Sequence, residues 1–181
     1  MKNLGLSNVK ESNNGLAPGG YIVKVLEAED FPNKEYLRLK LDIATGEHKD
    51  HYKELDDRFG FWGLYWYMSY KDTVLGLFKQ GINALRNSNS DLKWEDDAEN
   101  DEKMLEGCTV GAILREEEYL ANDGEVKSNV KFFKAISTTD IQEGKYTVPD
   151  KKVLESHNTS AEVIDTTAVK FQEVDDKDVP F

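Results

Sequence analysis

The chain has 181 residues, a net charge of −12 and charged side chains at 32% of positions, which suits one domain with extensions and a large solvated surface. No apolar run reaches the ~18 residues of a membrane-spanning helix, and the first 15 residues, MKNLGLSNVKESNNG, lack the apolar stretch of a signal peptide. The single Cys108 excludes an internal disulfide and a cysteine-rich zinc site, and it fits a reducing cytoplasm.

Residues 1–15 read as a polar leader, and Pro18-Gly19-Gly20 as a turn. The β-formers of residues 21–28 predict a first strand, closed by a turn over residues 30–34. In residues 35–43 the alternation is nearly strict. Leu37, Leu39, Leu41 and Ile43 share one side, while Tyr36, Arg38, Lys40 and Asp42 share the other, as in a strand with one buried and one wet face. A third strand is expected over residues 51–55.

Residues 59–70 hold seven aromatics in twelve positions, more than one buried strand or helical turn requires. Core packing, a subunit contact and stacking on a ligand all remain open for them. Apolar residues at 74, 75, 78, 82 and 85 predict an amphipathic helix over residues 71–86, with Asp72 or Thr73 as N-cap. Residues 90–107 hold two Lys and eight acidic residues and read as an acidic loop. A fourth strand is expected over residues 105–115, a hairpin at Asn122-Asp123-Gly124 and a fifth strand over residues 126–136. From about residue 150 onward, polar composition predicts a disordered linker.

Three strands, a helix and two further strands is the order of an OB-fold: an all-β, five-stranded Greek-key barrel with one helix between strands 3 and 4. The expected domain spans residues 16–149, and residues 150–181 form the linker and tip. Catalytic chemistry finds little support. His48 and His51 have no further ligand pair, and the acid pairs Asp56-Asp57 and Asp96-Asp97 lack a third carboxylate at a recognisable spacing. There is no phosphate-binding Gly-rich loop. Neither an enzyme nor a cofactor is expected.

Single-strand binding requires a lightly basic track and aromatic faces for base stacking. The wet side of the second strand supplies Tyr36, Arg38 and Lys40 at every second residue. Tyr52 and Lys53 add to it from the expected third strand, Trp62 and Trp66 from the aromatic run, and Lys127, Lys131 and Phe133 from the fifth strand. The global charge lends this reading no help, because nucleic-acid affinity rests on Lys and Arg neutralising phosphates.

The chain closes on Asp175, Asp176, Lys177, Asp178, Val179, Pro180 and Phe181. A terminal Phe with a free carboxylate, stiffened by Pro and preceded by acids, suits docking into an apolar pocket with a basic rim. This tip resembles the acidic, Pro-Phe-ended terminus of bacterial single-stranded DNA-binding proteins. Residues 16–26 resemble their opening strand. Arg115-Glu-Glu-Glu-Tyr119, Asn122-Asp-Gly-Glu125 and Lys131-Phe-Phe133 resemble their fourth strand, hairpin and fifth strand.

The overall resemblance is to a phage or mobile-element member from a Gram-positive host, departing from the cellular proteins in the aromatic and acidic stretch 59–107. It implies a protein of the bacterial cytoplasm that coats single-stranded DNA with little sequence preference. Its tip would recruit replication, recombination or repair enzymes. A dimer is favoured over the tetramer of the cellular proteins. The alternative is an adaptor that uses the tip to reach host replication proteins and binds no DNA.

Overall fold

Period-two alternation builds most of the core in the computed structural model, which describes residues 15–154. Strand β1 (Gly19–Phe31) pairs antiparallel with β2 (Tyr36–Ile43) through a turn of 3-10 helix at Pro32–Lys34. Leu37, Leu39, Leu41 and Ile43 of β2 are buried, as their spacing predicts. In β1, Val23 and Val25 point inward, but the ladder slips at the next residue, between Val25↔Leu41 and Glu27↔Lys40. This bulge makes Leu26 the extra residue and reverses the parity of everything after it. Ala28 now faces the core, and Glu27, Glu29 and Phe31 face outward.

The expected third strand over residues 51–55 is instead helix α1 (His51–Phe59). Its cause is Asp42, which the alternation assigns to the wet face and which the structure buries. The Asp42 carboxylate accepts from the main-chain N–H of Ile43 (2.8 Å), Tyr52 (2.9 Å) and Lys53 (3.1 Å). It thus caps α1 from the neighbouring strand, while Asp50, at the N-cap position itself, makes no side-chain cap bond. We predict that Asp42→Ala costs about 2–3 kcal/mol in urea unfolding, because buried donors lose their acceptor. A loss below ~0.5 kcal/mol would show that the cap is dispensable.

Strand β3 (Tyr65–Ser69) lies inside the aromatic run and pairs with β2. A 3-10 turn at Asp72–Val74 leads into α2 (Leu75–Ser88), so neither Asp72 nor Thr73 caps the helix; Val74 holds that place without a side-chain bond. Ile82 and Leu85 of α2 are buried. Gly81 sets how closely α2 sits on β3: a Cβ there would lie 2.7 Å from Met68 Cε and Trp66 Cζ2.

The acidic stretch that follows is loop up to a 3-10 turn at Glu102–Leu105, and its Leu105 is buried. Trp94 packs against the core beside Phe78, and Arg86 Nη2 donates to Trp94 O and Asp96 Oδ1, each at 2.5 Å.

Strands β4 (Thr109–Leu120) and β5 (Val126–Ile136) form the expected hairpin, with Gly124 at φ 80° in its turn. Helix α3 (Thr138–Gln142), not among the expected elements although Ser137 caps it by accepting from Asp140 N at 3.1 Å, lies on β4, where Ile141 fills the space a Cβ on Gly111 would need. The fold therefore has three α-helices among the described residues, not one.

The five strands form one antiparallel sheet of order β3-β2-β1-β4-β5. Its edges, β3 and β5, share no ladder, yet the Trp66 and Phe132 rings stack across them with centroids 4.8 Å apart. Helix α2 packs against β3, β4 and β5. Lys152, expected in the linker, makes a parallel bridge to Glu117 on the β4 edge beyond the end of the β1 ladder. The leader up to residue 14 and the chain from residue 155 to the tip lie outside the described residues. No helix among the described residues is long and apolar enough to cross a membrane.

Candidate nucleic-acid interface

The outward parity of three strands composes the candidate surface. Across β1, β2 and β3 the ladders align Phe31 with Tyr36 and Ser69, Glu29 with Arg38 and Tyr67, and Glu27 with Lys40 and Tyr65. Tyr36 stacks on Phe31 at 4.9 Å between centroids and meets Tyr67 edge to face at 5.6 Å. The guanidinium of Arg38 lies 5.0 Å from the Phe31 centroid and 5.3 Å from that of Tyr65. Burial pushes the Tyr65 phenol up against the opposing pull of Arg38. Tyr67 is 57% exposed, the most open of the aromatic residues in these rows.

Acids temper this surface. Arg38 Nε donates to Glu29 Oε2 at 2.8 Å, and Nη2 bonds the same oxygen. The Glu29 hydrogen bond holds the Arg38 pKa above its ordinary value. Much of the Arg38 charge is therefore already spoken for. Glu29→Gln should free it: oligo-dT affinity at low salt should rise and the log–log salt slope should steepen by about 0.7, the increment for one more single-strand phosphate contact. An unchanged slope in titrations of the variant would show that Arg38 meets no phosphate.

Lys40 Nζ sits 4.2 Å from the Trp62 ring centroid. The Trp62 indole N–H donates to Leu41 O (3.0 Å) and Leu64 O (3.1 Å), which pins the ring beside the end of β2. On the other edge, exposed Phe133 carries Arg115 at 4.5 Å from its centroid, and Lys131 is the ladder partner of Arg115. Arg115 also pairs with Glu117 at 2.5 Å, and that bond holds the Glu117 carboxyl below its usual range. Between the two edges lies a cleft of about 410 Å³ whose walls include Tyr65, Tyr67, Leu77, Phe132 and Phe133, with Lys134 among its lining residues. The aromatic surface of β2 and β3 thereby continues to β5.

The structure brings Tyr36, Arg38, Lys40 and Trp62 together, with Phe133 and Lys131 on the facing edge. It removes two of the expected contacts. Tyr52 is buried on α1, which pushes its phenol pKa up. Trp66 is buried against Phe132, because the core parity of β3 belongs to Trp66 and Met68. Lys53 is exposed on α1, and Lys127 lies at the hairpin end of β5, paired with Asp123.

Sequence reasoning did not single out Phe31 or Arg115, and it held Tyr65 and Tyr67 within an aromatic run whose outward members it did not assign. The alternation Tyr65-Trp66-Tyr67-Met68 contained the signal for two of them; the bulge hid Phe31. His48 and His51 meet edge to face at 6.2 Å, and among the described residues no three His, Cys, Asp or Glu side chains group to hold a metal. Compared with protein-family models and with the curated proteins, the chain has no significant match to either.

Proposed function

We propose that the chain is a non-catalytic single-stranded DNA-binding protein built on an OB-type barrel. In this reading it coats unpaired strands with little sequence preference and recruits replication, recombination or repair enzymes through the tip, residues 175–181. The carrying observation is the outer surface of β1, β2 and β3, where Phe31, Tyr36, Tyr65 and Tyr67 alternate with Arg38 and Lys40. Aromatic faces of this kind stack bases of any sequence, and interleaved cations follow the backbone.

The topology supports the barrel. The strand order, the facing β3 and β5 edges and a helix between β3 and β4 agree with a five-stranded barrel of this type left open along one seam. A second reading, an adaptor that binds protein instead of DNA, is favoured by the net charge of −12 and by the hold of Glu29 on Arg38.

Fluorescence titration with oligo-dT at several salt concentrations decides between them. The expected result is binding at low salt that weakens with added salt and exceeds binding to duplex. Absence of binding at low salt, or equal binding to duplex, would overturn the proposal in favour of the adaptor. Deleting residues 179–181 is expected to spare oligo-dT binding and abolish capture of the enzymes that dock on the tip. Undiminished capture would refute the role of the tip.

A further inference from the structure

Two of the most exposed aromatic rings of the described chain lie off the sheet. Phe59 at the end of α1 and Phe61 in the loop after it are 59% and 55% exposed, with ring centroids 6.2 Å apart. We propose that these two rings form a second stacking platform, which takes bases of a single strand as it runs off the β2–β3 surface past Trp62. The inference rests on the single-strand reading above and extends its site to a loop that reading does not use.

Three observations carry it. First, the rings have a fixed base. Gly60 ends α1 at φ 72°, with its N–H on Asp56 O at 2.7 Å. The indole of Trp62 is held by two carbonyls, and Leu64 is buried, its carbonyl accepting from Leu41 N at 3.1 Å. Exposed rings on an anchored loop lose little freedom on meeting a ligand.

Second, the loop that carries the rings adjoins the sheet surface. Lys40 stands in the outward row with Tyr65 and also over Trp62, so it bridges the strands and the loop. Third, a cation stands at the far end too, since the Arg58 guanidinium lies 5.4 Å from the Phe59 centroid. Rings with Arg58 beside Phe59, next in the chain to a Trp62 that carries Lys40, match a chain that alternates planar bases with anionic phosphates. The acids of α1, Glu54, Asp56 and Asp57, leave ring stacking as the main source of affinity here.

The test compares oligo-dT of about 6 nucleotides, which one barrel face accommodates, with oligo-dT of about 20 nucleotides. In the F59A/F61A double variant of the full chain, affinity for the long oligonucleotide should fall by about fivefold or more per ring. Affinity for the short one should stay level, and the number of nucleotides covered per protein should shrink. Both positions are exposed, so folding should be untouched by circular dichroism. Y67A is the contrast, expected to weaken both lengths.

Equal long-oligonucleotide affinity in wild type and F59A/F61A would overturn the platform while leaving the sheet interface standing. A change of oligomeric state with binding unaltered would also overturn it, assigning the rings to a second copy of the chain. A wild-type chain that binds neither length would sink both readings together.

Discussion

Trp66→Ala is expected to lower the free energy of unfolding by about 3–5 kcal/mol, the range for deleting a large aromatic side chain from a core. The ring is only 8% exposed. It lies nearly parallel to Phe132, 19° between planes, and so ties together the sheet edges that no ladder joins. From α2 it is met by the bare Cα of Gly81, a position where even one added carbon would clash. Truncation therefore leaves a cavity under a helix that side chains cannot easily fill, and it removes the stack across the seam.

Urea unfolding measures the cost, with Phe61→Ala as an exposed control expected within ~0.5 kcal/mol of wild type. A Trp66 variant of near-native stability that loses oligo-dT binding would return this residue to the ligand face.

Trp66 also shows why part of the site was hidden in the sequence. Within residues 59–70, composition announces an aromatic surface, but which rings face outward depends on where the strand begins, and a one-residue change of phase exchanges Tyr67 for Trp66. The β2 alternation was legible because every second residue there is Leu or Ile. Its one misleading position, Asp42, became buried through a tertiary contact: its carboxylate found the N-terminus of α1, and that contact made helix of residues expected as strand.

The bulge at Leu26 is a pairing event, and no local pattern in β1 marks it, so neither the outward Phe31 nor the Glu29 partner of Arg38 was foreseeable. The β4–β5 hairpin was legible because Asn-Asp-Gly is a local turn signal. The tip is legible as a motif alone, since it lies outside the described residues.

The double variant Y36A/Y67A should weaken oligo-dT binding by about 2–6 kcal/mol, from about thirtyfold to about ten-thousandfold, because each stacked base contributes about 1–3 kcal/mol. The two rings meet edge to face at 5.6 Å, so the single variants are expected to be coupled, not additive. Neither ring is buried, and folding stability should fall only by the ~1 kcal/mol of lost cross-strand contacts.

The salt dependence separates stacking from charge. No cation is removed, so the log–log slope should stay at its wild-type value while the whole line drops. Removing Lys40 as K40A should instead flatten the slope by about 0.7. A slope that moves with the tyrosines would mean that they act by holding Arg38 in place, which the stacking of Tyr36 on Phe31 under Arg38 and the contact of Tyr67 with Tyr36 make the chief rival account. Unchanged affinity in Y36A/Y67A would take the strand off this surface altogether and leave the outer face of β2 to a protein partner.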